Sequence, residues 1–155
     1  DVKIGLGSHT WGPGDSDTEL DVTLSEDVVW DLDVQAGVTE YDIDLREMLL
    51  STLVLDAGVS DGLVTLGASD AGDADEAIPV EIESGVSALR IRVPEGDSVR
   101  VTIQEGLAGV TMRGDWDRAR DEGTTVYESD RFDDAGAFWD IEIQAGIGGI
   151  TVEYY

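Results

Sequence analysis

Two segments, Trp30-Asp-Leu-Asp-Val-Gln-Ala-Gly37 and Trp139-Asp-Ile-Glu-Ile-Gln-Ala-Gly146, are near copies of one cassette in this chain of 155 residues. Each alternates apolar and polar residues, ends at a glycine and is followed by a second alternating run. Shorter versions end at Gly58, Gly85 and Gly106. Alternation with a period of two is typical of β-strands. Self-similarity at about 20 to 50 residues is typical of units that stack to bury a shared apolar face.

The repeats predict an all-β fold, namely a short parallel β-helix (β-solenoid) of about four to six coils. At 155 residues the chain has the length of one ordinary domain, so a single domain over residues 1–155 is expected. Trp30 and Trp139 fall in phase with the inward apolar positions and are predicted to belong to the core.

The longest insertion between cassettes runs from Arg113 to Gly136 and is rich in charge. It is predicted to be a loop over the surface, packed back by its aromatic residues. Trp116, Arg118 and Arg120 in this segment are the candidate ligand-binding or partner-binding residues. On the strands, Glu81 and Glu83 are expected to face Arg90 and Arg92 across the ladder as opposite charges.

The chain is strongly acidic, with 35 acidic and 9 basic residues and a net charge of −26. This charge repels nucleic acid and anionic membrane surfaces, so basic proteins, sugars or cations remain as partners. Lys3 is the only lysine, and aspartate is in excess. Such a composition is typical of proteins that work in high salt, where the Debye length falls to about 3 Å and self-repulsion is muted. A GC-rich genome would produce the same bias.

Cysteine is absent, which excludes disulfides and thiolate metal sites. No apolar run approaches the roughly 18 residues that span a bilayer, and no signal peptide opens the chain. The sequence is therefore expected to be a soluble piece of a longer protein.

No catalytic residue is predicted. His9 is the only histidine, and its neighbour Ser8 would point to the opposite face of a strand, so the two cannot act as base and nucleophile. Carboxylates are too numerous for any pair to be singled out as a glycosidase site. The chain is therefore expected not to be an enzyme.

Calcium is the only cofactor that the sequence suggests. Asp70, Asp73, Asp75 and Glu76 offer oxygen ligands at short spacing in one polar loop, and the segment 15–19 does the same. Neither matches the full calcium-binding loop with its closing glutamate. The alternative is a solvated acidic loop without a bound cation.

The segments 30–45, 53–60 and 86–101, together with 127–135 and 141–152, resemble the toast-rack or LiaF-C-like domains, of the DUF2154 type. The likeness covers about residues 28–155 and rests on glycine and Val-Pro positions in the strands. It implies a right-handed β-helix that is extracytoplasmic, tethered to a membrane in the full-length protein and without known catalysis. The family carries no catalytic residues to transfer.

The resemblance suggests a non-enzymatic sensor or scaffold in the envelope or cell-wall stress response, acting through a protein partner. The alternative is an adhesin or carbohydrate-binding surface protein. A third hypothesis is self-association, because the ends of a solenoid expose unpaired strand edges.

Overall fold

A computed structural model describes residues 2–6, 22, 24–69, 77–104, 107–121, 124–130, 132 and 136–155. These residues form nine β-strands. The strands are β1 (Val2–Leu6), β2 (Val29–Leu45), β3 (Leu49–Leu66), β4 (Ala77–Val93), β5 (Val99–Gln104), β6 (Leu107–Arg113), β7 (Trp116–Asp121), β8 (Thr124–Ser129) and β9 (Phe138–Tyr154). Within these ranges no helix is long and apolar enough to cross a membrane.

The four long strands curl at their cassette glycines. Gly37, Gly58, Gly85 and Gly146 lie side by side across β2, β3, β4 and β9. A Cβ atom on Gly58 would lie 2.9 Å from the carbonyl oxygen of Gly37, and one on Gly146 would lie 2.5 Å from that of Gly85. Backbones that approach this closely leave no room for a side chain, so the cassette ends in glycine. We call the segment before the glycine the first arm and the segment after it the second arm.

The core lies between the two arms, because inward residues from both pack in one cluster. The cluster contains Leu53 and Leu55 from the first arm of β3, and Val64 and Leu66 from its second arm, each with no exposed surface. Burying one such side chain contributes roughly 1.5–3 kcal/mol. The alternating apolar residues of the cassettes therefore form the core, as the sequence predicts.

The two cassette tryptophans differ in burial. Trp139 is 1% exposed, and its indole nitrogen donates a hydrogen bond of 3.2 Å to the carbonyl oxygen of Gly67. Trp30 is only half-buried and donates from its indole nitrogen to the carbonyl oxygen of Ser25 at 2.8 Å. The core prediction is therefore confirmed in full for Trp139, whereas Trp30 packs at the margin of the core.

The parallel strands do not stack in chain order. The sheet runs β1-β2-β3-β4-β9-β5-β8-β7, and β6 also pairs with β9. The last long strand is thus inserted between β4 and the broken fifth rung that β5 and β6 form. The all-β parallel ladder is confirmed, but the final cassette lies inside the sheet and not at its end. Its inward residues Ile141 and Ile143 are completely buried there.

The segment Arg113–Gly136 is not the surface loop that its composition indicates. Its described residues include an antiparallel hairpin of β7 and β8, and β8 pairs with β5. The hairpin thus extends the first-arm side of the sheet by two strands. The loop prediction fails because β7 is charged along its length and carries no apolar alternation.

Candidate functional site

Trp116, the first predicted binding residue, anchors the hairpin to the body. Its ring stacks on Tyr154 at the end of β9, with centroids 5.0 Å apart and planes inclined by 8°. Its indole nitrogen donates to the carbonyl oxygen of Arg113 at 3.3 Å. Gly114, with φ of 114°, turns the chain between β6 and β7, and a Cβ there would lie 2.5 Å from the Tyr154 ring. Partial burial raises the pKa of Tyr154 to about 12, and nearby aspartates contribute.

Arg118 and Arg120, the other predicted binding residues, both lie on β7. The guanidinium of Arg118 is 5.6 Å from the centroid of the Tyr127 ring, and the residue is exposed. Arg120 stands opposite Thr125 in the register. Within the described residues β7 pairs only with β8, so its other side is a sheet edge.

Polar and aromatic contacts fasten β8 and the segment after it to the body. Arg100 of β5 pairs with Glu128 at 3.0 Å, and its guanidinium lies 4.3 Å from the centre of the Phe132 ring. The hydroxyl of Ser129 accepts a hydrogen bond from the backbone nitrogen of Val99 at 3.0 Å. These contacts hold the hairpin against the body of the sheet, so the free edge of β7 has a fixed position.

A second surface lies on the outer face of the second arms, where three arginines surround Glu153. Arg92 is 3.1 Å and Arg90 is 3.9 Å from one carboxylate oxygen, and Arg113 is 3.1 Å from the other. The hydrogen bond from Arg92, together with the charges of all three arginines, holds the pKa of Glu153 below its ordinary value. Three of the eight arginines of the chain thus meet at one place.

This cluster corrects the charge pairing expected from the sequence. Glu81 and Glu83 lie on the first arm of β4, whereas Arg90 and Arg92 lie on the second arm of the same strand. Across the ladder, Glu81 stands beside Glu142, while Arg92 stands beside Glu153. The expected pairing is wrong because both charge pairs belong to one strand that bends between them.

The opposite side of the same second-arm face is acidic. Glu40 and Asp42 of β2 and Asp61 of β3 are exposed there. Between them and Arg90 runs a groove of about 690 Å³, whose floor includes Ala88 and Gly149. We call this surface, formed by the outer positions of β2, β3, β4, β9 and β6 after the bend, the two-charge face. Sequence reasoning missed it because its members meet only through the strand order.

The outer face of the first arms carries mainly acidic and amide groups. A trough of about 530 Å³ follows the glycine column and is lined by Asp56, Glu83, Gln104 and Gln144. Gln104 donates to Glu142 at 2.7 Å, which links β5 to β9. The outer face of the first arms is therefore acidic along this trough.

The predicted calcium ligands Asp70, Asp73, Asp75 and Glu76 lie outside the described residues, as do Ser8, His9 and the segment 15–19. In the part of the chain that the structure describes, no group of three or more histidine, cysteine or acidic side chains is placed to hold a metal ion.

The model of the family "N-terminal domain of toast_rack, DUF2154" matches residues 2–92, more than half of the chain. The chain belongs to the toast-rack family. The match extends further towards the N-terminus than the resemblance seen in the sequence, and it ends before β5. The hairpin and the closing strand of this toast-rack domain therefore lie beyond the matched residues.

Among solved structures, the toast-rack domain is similar to a crystal structure of a candidate cell adhesion protein from Clostridium sporogenes. The TM-score is 0.66 at 21% sequence identity, over 92% of this chain and 68% of the other. This likeness establishes a shared fold. No curated protein matches the chain.

Proposed function

We propose that this toast-rack domain is a non-enzymatic, extracytoplasmic recognition module that acts as a sensor or scaffold in the envelope stress response. Membership of the toast-rack family supports this role. In the full-length protein a membrane tether outside the present sequence would hold the domain at the envelope. Recognition would involve a protein partner and no nucleic acid, since a net charge of −26 repels polyanions.

The proposal depends on the hairpin of β7 and β8, which is held against the body, and on the edge of β7 that pairs with no other described strand. A strand edge presents backbone donors and acceptors to which an extended segment of another protein can add. The edge strand β7 carries three consecutive exposed residues, Asp117, Arg118 and Ala119. The hairpin lies outside the family-matched residues 2–92, so it is suited to recognising a partner particular to this protein.

A photo-crosslinking amino acid at Arg118 tests the proposal in cells that carry the full-length protein. We expect a crosslinked protein adduct whose yield changes when cell-wall synthesis is inhibited. The matched control places the same crosslinker at Gln35, an exposed outer position of the first arm far from the hairpin. Equal adducts at both positions, or no adduct at Arg118 with or without the inhibitor, would contradict the proposal.

An adhesin or carbohydrate-binding surface protein is the second candidate, and the structural neighbour supports it. A glycan array distinguishes the two roles, because only the adhesin should retain a defined glycan. Arg118→Ala is a better probe than Trp116→Ala, since Trp116 also anchors the hairpin on Tyr154. Glycan retention that is lost in Arg118→Ala would favour the adhesin.

A further inference from the structure

We propose that the two-charge face docks on the same face of a second copy of this chain. This surface is separate from the hairpin edge on which the proposed function depends. Outer positions on five neighbouring strands form a regular grid, because β2, β3, β4, β9 and β6 remain in register along their second arms.

The grid separates the two signs of charge. One of its rows reads Asp42, Leu63, Arg90, Thr151 and Thr111 across the five strands. The row on one side of it begins with Glu40 and Asp61, and the row on the other side contains Arg92, Glu153 and Arg113. This second row also includes Asp44 of β2, which is paired with Arg46. Net negative charge thus lies on the β2–β3 side, whereas on the β4–β9–β6 side three guanidinium groups outnumber the single carboxylate of Glu153.

The two sides of the face differ in how many of their charged groups already form ion pairs within one copy. Among the described residues, no lysine or arginine forms an ion pair with Asp42 or Asp61. On the other side, Glu153 faces three arginines, and the Arg90 side chain is 51% exposed at 3.9 Å from it. Each copy therefore has unmatched negative charge on one side and unmatched positive charge on the other.

A two-fold axis complements this pattern. An axis that runs parallel to the strands between β3 and β4 places β3 of each copy over β4 of the other. Arg90 then lies opposite Leu63 of the second copy, with Asp42 one strand (about 4.8 Å) and Asp61 two residues (about 6.6 Å) to the side, within reach of the long arginine side chain. The same contact is made twice, as in every isologous interface. Glu153 lies opposite Asp44 in this arrangement, and each of these two carboxylates already has an arginine partner in its own copy. Guanidinium forks pair with carboxylates more strongly than ammonium groups do, so arginine suits this position.

The centre of the face allows close approach. Ala88 and Gly149 are exposed and form part of the groove floor, so a long side chain of the other copy can enter. Leu63 adds a partly exposed apolar group between Asp42 and Arg90. Apolar centres with charged surroundings are typical of protein interfaces.

The expected association is weak. Five strands and seven residues along each give a patch of about 19 Å by about 20 Å, which is small beside a standard interface of roughly 800 Å² per partner. The net charge of −26 also opposes association, although screening confines this repulsion to about 8 Å at physiological salt. We therefore expect a weak dimer whose population increases with protein concentration.

A charge-exchange experiment tests the proposal with the whole chain. One variant is Arg90→Glu and the other is Asp42→Arg/Asp61→Arg. Each variant brings like charges together in its own homodimer, whereas a mixture of the two brings opposite charges together at both contacts. By sedimentation velocity we expect the association constant of each variant alone to fall at least about tenfold, and the equimolar mixture to recover it to within about threefold.

Matched controls separate the face from the net charge. Arg118→Glu repeats the charge change of the first variant on the hairpin, and Glu81→Arg/Glu83→Arg repeats that of the second on the first-arm face. Arg118→Glu, which adds two negative charges outside the face, should keep the association constant to within about threefold, and Glu81→Arg/Glu83→Arg should dimerise at least as well as the unchanged chain. A monomer at every concentration, variants that dimerise as well as the unchanged chain, or a mixture that stays dissociated would each overturn the proposal.

Discussion

Gly146 and Gly37 occupy the same row of the sheet but differ in what a side chain would meet. A Cβ on Gly146 would lie 2.5 Å from the carbonyl oxygen of Gly85, whereas one on Gly37 would meet no atom of the described residues within 4 Å. The neighbour of Gly146 is backbone, which cannot rotate away as a flexible side chain can. The need for glycine at these positions therefore depends on which backbone lies beside the residue in the sheet, and not only on the cassette.

The pair Gly146→Ala and Gly37→Ala tests this distinction. We expect Gly146→Ala to lower the free energy of unfolding by about 1–3 kcal/mol, because β9 must shift away from β4. Gly37→Ala should change it by no more than about 0.5 kcal/mol. Urea denaturation measures both values. Equal effects from the two substitutions would mean that the glycine column does not limit the spacing of the strands.

The residue pattern thus predicts where the chain curls, but not which glycine is most constrained. Alternation around Gly37 and Gly146 is nearly identical in the sequence. The difference arises from the neighbour on the N-terminal side of the ladder, which is Gly85 for Gly146. That neighbour is set by the order of the strands, which local patterns do not encode.

At the scale of elements, the hairpin is joined to the body at both of its strands. β7 begins at Trp116 on the Tyr154 ring, and β8 is bound to β5 through Glu128 and Ser129. Stacked aromatic pairs contribute about 0.5–1.5 kcal/mol beyond the area that they bury. Loss of the stack should therefore loosen the hairpin before it affects the core.

Trp116→Ala is expected to destabilise the hairpin by roughly 1–3 kcal/mol, since a half-buried aromatic side chain is lost. Hydrogen exchange should become faster for amides of β7 and β8, while those of β3 and β4 keep their protection. Arg118→Ala, a change at an exposed residue of the same strand, is the control and should leave exchange nearly unchanged. Faster exchange throughout the sheet in Trp116→Ala would instead show that the hairpin is part of the cooperative core.

The long strands can be predicted from the sequence, whereas the hairpin cannot, for a physical reason. In β8 the buried positions are Thr125 and Ser129, and only the partly buried Tyr127 between them is apolar, so the inward side gives little apolar alternation. In β7 the outer edge is exposed and charged. The arginine cluster of the two-charge face also depends on β9 lying between β4 and β6. Arg92 and Glu153 are 61 residues apart, which places their contact beyond any local pattern.

At the scale of the whole molecule, charge is distributed unevenly over one continuous sheet. Outer positions of the first arms carry Asp56, Glu81, Glu83 and Glu142, with Glu81 directly beside Glu142 in the register. Like charges on neighbouring strands destabilise a sheet. Among the described arginines only Arg100 of β5 lies on the first-arm strands, and it pairs with Glu128 of the hairpin, so little of this repulsion is relieved.

Salt should therefore stabilise the domain. With a net charge of −26, raising potassium chloride from dilute buffer to multimolar concentration shortens the screening length to a few ångströms, roughly 3 Å at 1 M. We expect the melting temperature to rise markedly, most steeply at the lowest salt concentrations, as measured by circular dichroism. The control Glu81→Arg/Glu83→Arg removes like-charge contacts from the first-arm face, so it should melt higher in dilute buffer and gain less from salt. A melting temperature that does not change with salt would favour genome composition over adaptation to brine as the origin of the acidic residues, because the sheet would then tolerate its charge without screening.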